Sequence, residues 1–87
     1  MCQFYTYILY SEKLKKFYIG STNNLQKRFS DHNKGRSTYT KKGIPWTLQY
    51  FETFNSRPEA VRRELEIKSR KERSYIEHLI AKSTQNF

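Results

Sequence analysis

Cysteine is nearly missing from this chain: one residue, Cys2, stands among 87. A single thiol makes no internal disulfide and no thiolate metal cage, which points to a reducing compartment, the cytoplasm. Histidine is almost as scarce, with only His32 and His78, too few for a multi-histidine zinc site. Long apolar runs are missing too. The longest, Tyr7-Ile8-Leu9-Tyr10, falls far short of the ~20 residues of a membrane span. No basic patch followed by an apolar stretch opens the sequence, so no secretory signal is expected. Three Gly and two Pro leave nothing that reads as a linker. Acidic residues are few: 8 Asp+Glu oppose 17 Lys+Arg, a formal charge of +9.

Against these absences stand the aromatics, 16% of the residues, with seven Tyr and six Phe. Disordered chains combine high charge with few aromatics, so this chain has the means to fold. At roughly 100–200 residues per domain it is one domain, residues 1–87. Most of the basic residues lie between Lys27 and Arg73, interleaved with Tyr39, Trp46, Tyr50 and Phe51. Such a field suits a polyanion, most often nucleic acid, although a solubilising surface has the same composition.

Phe4 to Tyr10 is rich in β-branched and aromatic residues and reads as a strand. Ser11 to Lys16 is a polar turn, and Phe17-Tyr18-Ile19-Gly20 returns as a second strand of a hairpin. The N-cap residues Ser21-Thr22-Asn23-Asn24 precede Leu25, Arg28, Phe29 and His32 at helical spacing. That helix is expected to stop near Asn33-Lys34-Gly35 with Gly at the cap. Lys34 to Pro45 has no periodicity and carries Lys34, Arg36, Lys41 and Lys42. Trp46 to Phe54 alternates as a third strand. Ser56-Arg57-Pro58-Glu59 is a capping box with Pro in the first turn. It opens a helix to about Ser69, and Glu72 to Lys82 forms another. The order ββαβαα defines an α+β fold, a three-stranded antiparallel sheet flanked by helices.

At ~100° per residue, with Ala60 at zero, Ile67, Ala60, Val61 and Leu65 span an arc from about −20° to 140°. Glu64 falls inside it at about 40°. A carboxylate turned inward needs a cation. It finds one either in the chain, such as Lys68 one turn on, or in a divalent metal of the kind that phosphoryl-transfer sites use. On the first helix Arg28 and His32 border the apolar stripe, while Lys27 and Asp31 point away. An Arg beside a His suits a phosphate, and equally a surface Arg with a half-buried His packed on Phe29. In the hairpin Tyr18 shares a face with Gly20, and Tyr7 shares one with Tyr5 and Leu9.

The ordered set Tyr5-Thr6-Tyr7, Tyr18-Ile19-Gly20, Arg28, His32 and Glu64 resembles the GIY-YIG nuclease superfamily. Within it, the chain is similar to small stand-alone members resembling the N-terminal nuclease domain of the bacterial excision-repair endonuclease. The resemblance covers nearly the whole chain and implies metal-dependent hydrolysis of DNA phosphodiesters with one divalent ion, Mg²⁺ or Mn²⁺. It implies Glu64 as the metal ligand, Arg28 on the scissile phosphate, and Tyr7 and Tyr18 near the nucleophile. His32 would contact phosphate or share the proton work, and Gly20 would leave room for close approach. A nearby Lys27 would join Arg28 in easing the ionisation of Tyr7.

Two departures mark the match. The first motif lacks its Gly, and Ser21 stands where the repair enzymes carry a Lys. A nucleic-acid-binding module without cleavage is the alternative, with Tyr39 or Trp46 as stacking platforms. An accessory protein docking an acidic partner is a third. No helix-turn-helix or zinc finger fits, so targeting falls to substrate structure, a protein partner or a homodimer. The stripe Tyr75, Ile76, Leu79 and Ile80 would either pack on the core or face such a partner.

The basic segment with Arg36, Lys41 and Lys42 is expected to lie over the nucleic acid and replace the missing lysine. The double substitution Lys41→Ala/Lys42→Ala should weaken binding and reduce the salt slope of log Kd by about 2, read by fluorescence anisotropy across a salt series. An unchanged slope would remove the loop from the interface.

Overall fold

The computed structural model describes residues 3–70 and 72–84; Cys2 lies outside them. The central strand is β1, Phe4–Ser11, flanked by β2, Lys16–Thr22, and β3, Trp46–Phe54. All pairings are antiparallel in the order β2-β1-β3. Helix α1, Leu25–Asn33, follows β2, and α2, Arg57–Arg70, and α3, Arg73–Thr84, follow β3. The order ββαβαα is therefore the one the sequence implies.

A middle strand has a helix layer or loop on each face, and side-chain alternation divides its residues between two cores. Ile8 packs with Ile19, Ile67, Ile76 and Leu79 under α2 and α3. Tyr7 and Leu9 turn the other way and pack with Trp46, Tyr18, Leu25, Phe29, Ile44 and Leu48 under α1. The α3 stripe thus packs on the first core: Ile76 and Leu79 are buried, with Tyr75 and Ile80 packed against it. Thr6, fully buried on that same face, donates to the Ala60 carbonyl at 2.6 Å and ties α2 to the sheet. Arg63 pairs with Glu52 on β3 at 2.9 Å and donates to the Tyr75 hydroxyl at 3.2 Å, joining three elements.

Several boundaries differ from the sequence reading. β2 runs on through Ser21 and Thr22, because both still pair with β1. The α1 N-cap is Asn24, whose side chain accepts from the Lys27 N–H at 3.1 Å. Lys34 is the C-cap, and Gly35, at φ +77°, follows it. Ser56 and Glu59 pair at the start of α2, with Glu59 N–H donating to Ser56 Oγ and Ser56 Oγ donating back to the Glu59 carboxylate. Leu65, placed at the far limit of the apolar arc, lies 59% exposed, because the buried face narrows to Ala60 and Ile67. In β3 the pairing slips between Ile8 and Leu9, leaving Gln49 unpaired. That bulge puts Leu48 and Tyr50 on opposite faces, where strict alternation would put them together.

The segment between α1 and β3 contains a 3₁₀ turn, Lys41–Gly43, and is tied to β1 and β3, while its two flanking residues bond to each other. Ser11 Oγ donates to the Gly43 carbonyl at 2.7 Å, and Trp46 Nε1 donates to the Thr40 carbonyl at 2.7 Å. Asn33 exchanges hydrogen bonds with both the Trp46 N–H and its carbonyl. Trp46 is consequently 4% exposed and offers no stacking surface to a ligand.

Gly43 makes this possible, since a Cβ there would lie 2.5 Å from the Trp46 ring and 3.0 Å from Ser11 Oγ. Backbone and ring are both confined, so Gly43→Ala should cost about 1–3 kcal/mol as overpacking. A urea midpoint equal to that of the unsubstituted chain would refute the account.

Candidate active site

Strand register brings the first residues of the site together. Tyr7 on β1 lies directly opposite Gly20 on β2, and Leu9 lies opposite Tyr18, so all four share a face. The Tyr7 ring crosses Gly20 so closely that a Cβ would meet its hydroxyl at 2.5 Å. The room that Gly20 leaves is thus taken by Tyr7.

Helix α1 supplies the partners of that hydroxyl. Tyr7 Oη and His32 Nε2 are 3.0 Å apart, and His32 Nδ1 lies 2.7 Å from Thr40 Oγ1. Both His32 and Thr40 are fully buried, which removes His32 from direct contact with a phosphate. Its reach to a substrate passes through Tyr7. The Arg28 guanidinium is near enough to Tyr7 and Tyr18 for the three groups to act on one another's protonation. Lys27 instead spends its charge on Asp31 at 3.0 Å, and Arg36 approaches the same carboxylate at 3.8 Å. Arg28 is therefore the cation that acts on Tyr7.

Burial pushes the Tyr7 phenol up to about 12; Arg28 opposes this, while Tyr18 and Glu64 add to it. The free protein holds Tyr7 neutral at physiological pH. Burial, helped by the Arg28 charge, pulls His32 down to about 4, with Asp31 opposing. A neutral imidazole beside a neutral phenol is a proton-exchanging pair rather than an ion pair.

Tyr18 is the ring around which the others gather. It meets His32 edge-on at 5.0 Å, with Tyr39 at 5.8 Å and Trp46 at 6.2 Å between centroids. Tyr39 is 83% exposed and borders a groove with Phe17, Tyr18, Ile19 and Lys68. Lys41 and Lys42 stand exposed on the 3₁₀ turn.

Glu64 approaches from the other side of the sheet. Its Oε1 accepts from Ser21 Oγ at 2.7 Å and its Oε2 from Lys68 Nζ at 2.6 Å. The carboxylate is largely buried, at 17% exposure, and Lys68 is the in-chain cation the sequence allowed for. Ser21, one residue beyond Gly20, thus orients the acid instead of adding a phosphate-facing charge. Sequence reasoning passed over this contact and Thr40 alike, because both partners lie far apart in the chain or in a stretch without periodicity.

Among the described residues, no three His, Cys, Asp or Glu side chains gather into a metal cage. One carboxylate is nonetheless a sufficient protein ligand for Mg²⁺, which keeps several waters and takes its other oxygens from phosphate. The hard oxygen donor of Glu64 fits that ion once Lys68 releases Oε2.

The paired tyrosines of the sheet, Arg28 of α1 and the inward Glu64 of α2 all lie in the part of the chain that a known family covers. The family model of the GIY-YIG catalytic domain matches residues 3–77. The chain belongs to the GIY-YIG family. It is 43% identical over 70 residues to the UPF0213 protein SH2523 of Staphylococcus haemolyticus, covering 79% of this chain and 84% of that protein. It is also 43% identical over 53 residues to the UPF0213 protein VNG_2274C of Halobacterium salinarum, covering 60% and 69%. The solution NMR structure of the UPF0213 protein BH0048 from Bacillus halodurans is similar, at TM-score 0.57 and 31% identity, with 91% and 83% of the two chains covered.

The depressed His32 carries a stability consequence. An unfolded histidine titrates near 6.5, so between pH 6.5 and about 4 the unfolded chain binds a proton that the folded chain refuses. Stability from this group is full above pH 6.5 and drains away as the pH falls through that window. Urea unfolding at about pH 7 and about pH 4.5 should show the loss, and His32→Gln should flatten it. An equal pH slope in both proteins would contradict the assignment.

Proposed function

We propose that this protein is a metal-dependent endonuclease that hydrolyses phosphodiester bonds in DNA. The observation that carries the reading is the Tyr7 hydroxyl 3.0 Å from His32 Nε2, with the charges of Arg28 and Glu64 also acting on it. Arg28 binds the scissile phosphate and stabilises the charge that grows on its oxygens. Tyr7 and Tyr18 border the attacking water. Tyr7 takes the water proton as the new P–O bond forms and the bond to the leaving oxygen breaks. Its phenol must first ionise, and Arg28 is the group in the chain that favours this. His32 acts on the proton only through Tyr7.

Glu64, oriented by Ser21, would hold Mg²⁺ or Mn²⁺. When bound, that ion supplies positive charge beside the phosphate. Lys41, Lys42, Arg36 and the aromatic Tyr39 would hold flanking nucleic acid, with backbone phosphates as the main source of affinity. The resemblance of its motifs to those of the excision-repair endonuclease's nuclease domain suggests DNA repair in the cytoplasm as its setting. A protein partner or a second copy would direct the cut.

The second reading is a nucleic-acid-binding module that does not cut. It is favoured by one observation: both Glu64 oxygens already have partners within the chain.

Incubation with branched, flapped and single-stranded DNA in Mg²⁺ or Mn²⁺ separates the two. Metal-dependent cleavage should fall by about 10²-fold or more in Glu64→Ala, with affinity retained. Cleavage surviving that substitution would remove Glu64 from the site. Tight binding without cleavage by the unsubstituted protein would leave the binding module.

A further inference from the structure

We propose that the groove between α1 and Phe51 of β3 takes one unstacked base of single-stranded DNA, beside the site. What this does for cleavage rests on the nuclease reading above; the binding itself does not.

Strand register puts the groove next to Tyr7. Phe51 on β3 lies opposite Tyr7 on β1, and cross-strand partners share a face. Tyr5, two residues before Tyr7, points the same way. The Tyr5 and Phe51 ring centroids are 6.2 Å apart with the rings inclined at 67°, and Phe51 stays 49% exposed. Leu25 and Phe29 of α1 also line the groove, and Phe29 directly follows Arg28 in the chain. The cavity measures about 500 Å³, within the range of small-ligand sites and ample for one base.

Its chemistry differs from that of the neighbouring surface. No lining residue is charged, in a chain where 29% of the residues are. The Tyr39 groove by contrast includes Lys68, and the one beside Tyr10 includes Arg73 and Glu77. A phosphate therefore finds no counter-charge between Phe51 and α1. The polar lining is mostly carboxamide: Asn23, Asn24 and Gln26 around the start of α1, and Gln3 ahead of β1. A carboxamide carries a donor and an acceptor side by side, the pattern that matches the edge of a base. Asn24 Oδ1 caps α1, whereas Asn23 and Gln26 are exposed and make no side-chain hydrogen bond to any described residue.

Ring and carboxamides together select the state of the base. Every base has a π-face, so stacking on Phe51 tolerates any sequence. In a duplex that face is covered by the next base pair, and the pairing edge is engaged. An unpaired base from a flap, a branch or a single-stranded tract has both to offer. Arg28 and the exposed Lys41 and Lys42 would hold backbone phosphates, while the groove holds a base. The substrate class this favours is DNA with an unpaired segment next to the scissile phosphate.

Fluorescence anisotropy of the full chain with labelled single-stranded and duplex DNA of about 12 nucleotides tests the groove. Phe51→Ala should weaken single-strand binding about 10-fold and leave duplex binding unchanged, and Phe51→Trp should restore it. The exposed pair Asn23→Ala/Gln26→Ala should also lose affinity for the single strand alone. The salt slope of log Kd should stay the same in every variant, because no phosphate contact is removed. On a single strand built of abasic residues, Phe51→Ala and the unsubstituted protein should bind alike. Equal losses on both DNAs, a smaller slope, no loss in either variant, or a loss that persists on abasic DNA would each overturn the proposal. Dispersal of a dimer by Phe51→Ala at unchanged single-strand affinity would make the groove a contact between copies, and overturn it too. In cleavage assays the unsubstituted protein should prefer flapped DNA to blunt duplex, and Phe51→Ala should lose that preference. Single-strand binding that depends on Phe51 in a protein that never cleaves would uphold the groove and defeat only the nuclease reading.

Discussion

The hydrogen bond between Tyr7 Oη and His32 Nε2 joins the middle strand to the first helix through two buried side chains. Two polar side chains are buried at the heart of an otherwise aromatic core, and each is tolerable only because the other is there. The geometry around them follows from that pairing. Gly20 is bare because the Tyr7 ring occupies its side-chain space. Tyr18 packs edge-on to the imidazole. Arg28, one turn before His32, is brought near the phenol by the same helix that delivers the imidazole.

The acid comes from the opposite layer. Side chains at Gly20 and Ser21 point to different faces of β2, so consecutive residues serve different partners. Gly20 receives Tyr7, and Ser21 receives Glu64. The two halves of the site are therefore registered by one covalent step of a single strand. Any slip of β2 against β1 would separate them, and the seven paired positions between these strands resist it.

What the sequence revealed was whatever depends on local period. Alternation put Tyr7 with Leu9 and Tyr18 with Gly20 on shared faces, and the strand register agrees. Helical spacing put Arg28 and His32 on one stripe and Glu64 on the inward face of α2, and the capping box located the start of that helix. Contacts between distant segments were not legible. Thr40 lies in a stretch with no period, and its burial depends on Trp46 folding back over it. Trp46 read as exposed for the same reason, and His32 as half-buried. The Gln49 bulge left no mark, because an unpaired residue looks like any other polar position in a strand. The resemblance supplied roles for residues whose spacing alone left them open.

The segment between α1 and β3 has a further consequence. Ser11, His32 and Trp46 hold it to three different elements before any ligand arrives. The conformational entropy of this loop is therefore spent during folding and not at the moment of association. A polyanion meeting Lys41 and Lys42 restricts only two long side chains, while the backbone beneath them is already set. The surface behaves as a rigid cationic ledge, and its occupancy should respond to ionic strength far more than to temperature.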